Sequence, residues 1–319
     1  MEAVTAVQLT KTYGEVQAVR DLTLHVPQGG VFGLLGAQGA GKTTVIRMLC
    51  GLTKPTSGEC SVLGCSPAKD PAAVHAVCGV MLASARPSAH MTGQQTLLFF
   101  AQAAGMAEKA AERRVSELMK DLELWDERER PVSEYSTGML QKLSLARALV
   151  NYPSVLLLDE PTSGLDYESA HALHALVSQF AAREDTTVLL GTSMMHYAQS
   201  ICTAYGILEG GELVASGDFQ SLREAAGCRA HAEFRLSGGE SLEGFRPDET
   251  LATGLLEHNG WWRAELRDEE EMPRLLRSIV EHGYDVLEAR LVEPTLEDVH
   301  KRTLEQHPGK EGTADAHAG

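Results

Sequence analysis

The sequence predicts an α/β fold in which a parallel sheet presents a phosphate-binding glycine loop, with a second, smaller α/β domain after it. Three observations predict it. Gly36-Ala37-Gln38-Gly39-Ala40-Gly41-Lys42-Thr43 fits G-x-x-x-x-G-K-[ST] at every fixed position. The unbroken apolar run Val155-Leu156-Leu157-Leu158 ends in Asp159-Glu160, as a strand covered on both faces of a parallel sheet does. Beyond residue 228, strand and helix patterns resume without a further phosphate motif.

Taken in order, residues 1 to 90 alternate strand signals with turns. Val31-Phe32-Gly33-Leu34-Leu35 reads as a short buried strand and Lys42 to Leu49 as a helix. Strand, glycine loop, helix is the context the motif requires. Glycines let the backbone wrap a polyphosphate with its N–H groups inward, and the helix N-terminus adds positive potential. The expected nucleotide contacts are Gly36, Ala37, Gln38, Gly39, Ala40, Gly41, Lys42, Thr43 and Thr44. Lys42 reaches the terminal phosphates as a point charge, and Thr43 offers its hydroxyl to Mg²⁺.

From Thr92 to about Asn151 the pattern is helical. Thr92-Gly93-Gln94-Gln95 has the form of a capping box. Between Ala107 and Leu124, Val115, Leu118, Met119 and Leu122 fall on one face at spacings of three and four. Tyr152-Pro153 then breaks the chain before the acidic strand. Asp159 at that strand's carboxyl end is placed to hold the metal, and Glu160 to polarise an attacking water. Two strand–helix units follow, closing near Ser221.

Residues 229–306 read as a separate domain, with strands at Ala232–Leu236, Trp261–Leu266 and Val286–Val292 and a helix at Met272–Val280. Thr295-Leu296-Glu297-Asp298 caps a last helix. Trp261 and Trp262, being adjacent on a strand, face opposite ways, one to the core. Residues 307–319 are rich in Gly and Ala and read as a disordered tail.

Composition narrows the partners. The chain of 319 residues carries 28 Lys and Arg against 44 Asp and Glu, a net charge of −16. Nucleic acid is not an expected partner, since phosphate contacts need clustered cations. No apolar run approaches the ~20 residues of a membrane span, and Met1-Glu2-Ala3 does not open a signal peptide. The spacing of the six cysteines matches no zinc site, and reduced thiols in a cytoplasmic protein are expected.

One further stretch points to a family. Tyr135-Ser136-Thr137-Gly138-Met139, running into Leu140 to Leu149 with Arg147-Ala148-Leu149 at its end, resembles the signature and helix of ATP-binding cassette (ABC) transporter nucleotide-binding subunits. Pro161-Thr162-Ser163-Gly164-Leu165-Asp166 resembles the family's Pro-x-x-Gly-Leu-Asp stretch, and Tyr13 matches its adenine-stacking aromatic. The resemblance covers roughly residues 4 to 225. It implies a P-loop NTPase of the ABC type over residues 1–228, with an α-helical subdomain at about 92–151. It implies ATP and Mg²⁺ as ligands, and two cassettes that sandwich nucleotide. Ser136, Thr137 and Gly138 then act on the partner's γ-phosphate, and Asp166 lies at the dimer seam. It implies a separate membrane-spanning permease, and a cytoplasmic chain held on the inner face of the membrane only through that permease. Pro294-Thr295-Leu296-Glu297-Asp298-Val299 resembles the end of the C-terminal domain of daunorubicin-resistance-type exporter ATPases. Leu236-Ser237-Gly238-Gly239-Glu240 imitates the signature but lacks the helix after it, and reads as a turn.

Two family positions depart from the pattern. Ala83 stands where the family has a glutamine, and Ser193 where it has a histidine. Alanine cannot orient water, and serine lacks the reach and charge of imidazole. His196, three residues on, either compensates or is an ordinary surface histidine. The leading expectation is the ATPase subunit of an exporter. A regulatory subunit with slow turnover in an asymmetric transporter is the alternative that Ala83 and Ser193 raise. A soluble non-transport member of the family would carry paired cassettes or long coiled-coil insertions, and neither is present.

Overall fold

The structure, a computed structural model, describes residues 1–83, 88–183, 185–237, 242, 245–248 and 251–307. The chain divides into two compact units, Met1–Phe219 and Gln220–Gln306.

The first unit holds two sheets. β1 (Glu2–Tyr13), β2 (Val16–Pro27) and β4 (Ser57–Val62) pair antiparallel in the order β2-β1-β4. The second sheet joins β3 (Val31–Leu35), β5 (Cys78–Met81), β6 (Val155–Asp159), β7 (Thr187–Thr192), β8 (Ala204–Glu209) and β9 (Glu212–Gly217) in the order β5-β6-β7-β3-β8-β9. It is parallel except for β9. Every residue of β3, β6 and β7 is buried, which is why their sequences are apolar without alternation. Helix α1 (Lys42–Leu49) lies between the sheets, and its Val45, Ile46, Met48 and Leu49 share one core with Leu9, Leu22 and Leu24 of the antiparallel sheet.

The strand order decides where chemistry can occur. β3 lies between β7 and β8, and β6 beside β7. Register pairs Leu35 with Thr192 and Asp159 with Gly191. The carboxyl ends of three strands therefore converge on the segment after Leu35, where open α/β sheets bind ligands.

Helix α2 (Pro71–Val77) precedes β5. α3 (Gly93–Ala103), α4 (Glu108–Asp121) and α5 (Thr137–Leu149) lie between β5 and β6 in the chain. The capping box forms: the Gln95 amide donates to Thr92 Oγ1 at 3.2 Å and the Thr92 amide to Gln95 Oε1 at 3.0 Å. Val115, Leu118, Met119 and Leu122 are all buried, as their spacing predicts. α5 crosses β5 so closely that a Cβ on Gly79 would lie 2.0 Å from the Ala148 carbonyl oxygen. Apart from the helix at Lys42–Leu49, the sequence signals before β5 are strands and turns; α2 is a helix because Asp70 accepts the Ala73 amide at 3.0 Å and Pro71 suits its first turn.

After β6 come α6 (Tyr167–Arg183), β7, α7 (Met195–Ile201), β8, β9 and α8 (Phe219–Ala225). The last expected strand–helix unit thus contains an extra strand. Gly210 and Gly211, with φ of 53° and 88°, fold β8 and β9 into a hairpin.

The second unit is an antiparallel sheet of β11 (Ala252–His258), β12 (Trp261–Leu266), β10 (His231–Leu236) and β13 (Val286–Val292), in that order, with α9 (Met272–Glu281) and α10 (Leu296–Gln306). Ala232, Phe234, Ala264, Leu266, Leu275 and Ile279 form its core, with Trp262 packed against it. Trp261 takes the opposite face, with the Arg290 guanidinium 4.7 Å from its ring centre. Glu233 on that face is held by Arg263 and Arg290; burial pushes its carboxyl up, but the two guanidiniums prevail and bring it down to about 2. The Thr295–Asp298 box forms at the start of α10. β11 is an edge strand, mostly exposed, which explains why no hydrophobic run announced it. The expected turn at Gly238 and Gly239 and the tail beyond His307 lie outside the described residues.

Gly79→Ala is expected to lower the stability of the first unit by about 2 kcal/mol or more, because the added methyl meets backbone that cannot step aside. Urea unfolding followed by circular dichroism checks it; an unchanged midpoint would mean that α5 does not press on β5 as described.

Candidate nucleotide site

The glycine loop is fixed by close backbone approach. A Cβ on Gly36 would lie 2.3 Å from the Leu208 carbonyl oxygen, and one on Gly41 2.6 Å from that of Ala18. The loop is therefore held from both sheets, by β8 on one side and β2 on the other. Gly41, with φ of 109°, is the N-cap of α1. Between these anchors Ala37, Gln38 and Gly39 are exposed and Ala40 is buried, while Thr43 and Thr44 open the helix half-buried. Exposed backbone N–H groups at a helix start are the means by which such a loop receives an anion.

Lys42 is almost fully buried at 4% exposure. Its Nζ donates to the Gly36 and Ala37 carbonyls at 2.8 and 2.9 Å and pairs with Glu160 Oε1 at 3.1 Å. Thr43 Oγ1 donates to the Asp159 carboxylate at 2.9 and 3.0 Å. Burial pushes the Asp159 carboxyl above its ordinary range, the Thr43 hydroxyl opposes this, and the neighbouring Glu160 charge adds to it. A hydroxyl and a buried carboxylate side by side are hard oxygen donors of the kind Mg²⁺ takes, so the residues present fit that ion. Tyr13 stands 45% exposed at the end of β1, paired in register with the exposed Val16, with Lys11 Nζ 4.9 Å from its ring centre.

Glu160 follows β6 with φ of 45°, a conformation rare for a side chain of its kind, and its amide donates to the Gly191 carbonyl at 2.8 Å. Its second carboxylate oxygen lies 3.3 Å from Thr192 Oγ1 and 3.5 Å from Ser193 Oγ. Ser193 is exposed, and so is Ala83, in the turn after β5. No motif marks Thr192, and only the register of β7 against β6 brings it to the acidic strand end.

His196 does not approach this carboxylate through any contact among the described residues. Its ring lies 6.3 Å from that of Tyr167 at an interplanar angle of 3°, and 3.9 Å from that of Tyr197. His174 closes the cluster, 4.8 Å from the Tyr197 ring, fully buried with neither ring nitrogen hydrogen-bonded. Burial lowers its pKa to about 4, and His196 and His171 nearby act in the same direction.

Ser136 caps α5, accepting the Met139 amide at 3.3 Å, and Thr137 and Gly138 form the first turn. Asp166 caps the start of α6 through the Ser169 amide and hydroxyl at 2.9 and 3.0 Å. Gln141 of α5 donates to the Ser163 carbonyl at 3.2 Å, joining the two segments. Among the described residues no hydrogen bond or ion pair joins Ser136 to the glycine loop.

The ABC transporter family profile matches residues 19–163. The bacitracin transport ATP-binding protein BcrA of Bacillus licheniformis is 32% identical over 304 residues, covering 91% of this chain and 93% of that protein. The ABC transporter ATP-binding protein NatA of Bacillus subtilis (strain 168) is 35% identical, covering 66% of this chain and 85% of its own length. A Nod factor export ATP-binding protein I of Burkholderia pseudomallei is 37% identical over 222 residues, covering 69% and 73%. A solved ATP-binding subunit of an ABC transporter superposes with a TM-score of 0.64 at 28% identity, covering 70% of this chain and 93% of that one. A dimeric cassette bound to ADP and Pi shares the fold at a TM-score of 0.61 and 23% identity, covering 67% and 98%.

Lys42→Ala is expected to abolish or severely weaken ATP binding, because the loop loses its buried cation; calorimetry with Mg²⁺ and ATP reads it, and equal affinity refutes the site. A second expectation concerns acid. The folded-state pKa of His174 lies below the unfolded value, so the unfolded chain binds the proton first and stability falls as pH drops from about 6.5 toward about 4. Between pH 7 and 5 this amounts to roughly 2 kcal/mol. The loss is read from urea midpoints, and His174→Leu removes that part of it.

Proposed function

We propose that this chain, which belongs to the ABC transporter family, is the ATP-binding and hydrolysing subunit of an exporter and drives a separate membrane permease. The observation that carries the reading is the convergence of Lys42, Thr43, Asp159 and Glu160 at the carboxyl ends of β3 and β6. In this reading the glycine loop and Lys42 hold the polyphosphate, and Tyr13 with Val16 offers the adenine an exposed apolar surface. Thr43 and Asp159 would hold Mg²⁺, which when bound neutralises charge on the transferring phosphoryl group. Glu160 orients the water that attacks it.

Ser136, Thr137 and Gly138 crown a helix start that, among the described residues, no hydrogen bond or ion pair ties to the glycine loop. We assign them to the γ-phosphate of a second cassette, with Asp166 at the seam between the two. The permease has a docking surface of the right character. An apolar groove of about 440 Å³, lined by Leu52, Val80, Leu82, Phe100, Ala103 and Ala148 among others, opens between β5, α3 and α5. Leu52 and Phe99 stand exposed, 59% and 57%. Among the described residues no helix is long and apolar enough to cross a membrane. We therefore assign the chain to the cytoplasmic face of the membrane, attached through that partner. The relatives' names carry bacitracin transport and Nod factor export, and Pro294 to Val299 keeps the resemblance to daunorubicin-resistance-type exporters; we place the chain with exporters on those grounds.

One observation favours a slower, regulatory variant of the same role: the exposed methyl of Ala83 beside β5 offers no group to water or metal. Turnover well below that of the intact transporter's other cassette identifies it.

Glu160→Gln with ATP and Mg²⁺ is expected to convert monomer to a dimer in sedimentation, in the presence of the permease if not alone, since binding without hydrolysis leaves the γ-phosphate bridging two chains. A mutant that stays monomeric in both settings refutes the sandwich.

A further inference from the structure

We infer that Thr192 and Ser193 are positioning residues for Glu160: two hydroxyls at the end of β7 aim its carboxylate at the attacking water. The inference rests on the ATPase reading above and adds to it the means by which Glu160 is held without imidazole.

Both oxygens of the carboxylate face donors. Oε1 faces Lys42 Nζ at 3.1 Å, and Oε2 faces Thr192 Oγ1 at 3.3 Å and Ser193 Oγ at 3.5 Å. Thr192 Oγ1 already accepts the Met194 amide at 3.0 Å, so its own proton is left to donate toward the carboxylate. Thr192 is fully buried and β-branched, hence stiff about χ1, and its register against Leu35 fixes it beside the glycine loop. Ser193, exposed, is free to turn its hydroxyl to the same oxygen.

The two segments are laced elsewhere too. The Glu160 amide donates to Gly191, and the Thr162 hydroxyl lies 3.5 Å from Met194 Sδ. This lacing holds Glu160 at its left-handed φ of 45°, a backbone state that needs support from its surroundings. The imidazole of His196 is committed to the Tyr167 and Tyr197 rings.

In the reaction, the water oxygen bonds the γ-phosphorus as the bond to the bridging oxygen breaks and ADP leaves. Glu160 accepts the water's hydrogen bond, and the proton ends on the released phosphate or its carboxylate. The hydroxyls set the direction of that carboxylate and exchange no proton. Because hydroxyls do not titrate between pH 5 and 8, this position adds no limb near pH 6.5 to the rate profile.

The test uses the full chain, with its permease where turnover requires it, and Thr192→Val, Ser193→Ala, their combination, Thr192→Ser and Ser193→His. The combined variant should lose about tenfold to a hundredfold in kcat while its ATP affinity, read by calorimetry, stays within twofold. Thr192→Ser, which keeps the hydroxyl, should recover the turnover that Thr192→Val loses. Ser193→His should introduce a limb near pH 6.5 that wild type lacks. Ser193→Ala, at an exposed position, keeps the test independent of folding. Wild-type kcat in the combined variant, or affinity falling in step with kcat, overturns the inference while leaving the ATPase reading intact. Wild type showing no hydrolysis that Glu160→Gln removes overturns both.

Discussion

A buried ammonium sets the terms for the first unit. Lys42 sits at 4% exposure, where an unpaired charge would be prohibitive. Its partners are the Gly36 and Ala37 carbonyls and the Glu160 carboxylate. Those groups belong to segments far apart in sequence, so the demand to surround one cation ties the loop after β3 to the end of β6. Gly36 answers a separate constraint: a Cβ there would lie 2.3 Å from the Leu208 carbonyl oxygen, so only glycine lets the loop pass β8. Thr43 and Asp159, one residue along on either side, inherit their proximity from this arrangement.

Much of this was legible in the residues. Val31–Leu35 and Lys42–Leu49 are strand and helix with the limits their patterns gave, and Thr92 with Gln95 closes its capping box. Such signals are local: an apolar run, a cap, a glycine spacing. What the sequence withheld is what depends on pairing. The β8–β9 hairpin is antiparallel on an otherwise parallel sheet, a choice made by Gly210 and Gly211 and invisible to apolar periodicity. β11 is exposed on most of its residues and has no hydrophobic alternation to betray it. Thr192 is the clearest case within the site. Its sequence context is that of any strand end, and only the Asp159–Gly191 register carries it to Glu160.

The second unit follows a different logic. Its sheet is covered on one face by α9 through Leu275 and Ile279. The other face is built of charge: Glu233 between two guanidiniums, and Trp261 beneath Arg290. Here a carboxylate, rather than an ammonium, is the buried ion, and its partners hold three neighbouring strands, β12, β10 and β13, in register. The alignment with the bacitracin relative runs over 304 residues, more than the first unit contains, so it extends into the sequence of this sheet.

The exposure of Ala83 and Ser193 has a consequence for how such a subunit evolves. Both side chains stand in solvent at strand ends, where a substitution disturbs no core and costs little stability. Lys42, Gly36 and Gly41 enjoy no such latitude, because the fold itself is built around them. Drift at these two strand ends is therefore cheap in stability, while selection for a foldable chain preserves the glycine loop and its lysine. Gene duplicates of this architecture can therefore part ways at the ends of β5 and β7 long before they part ways in the glycine loop.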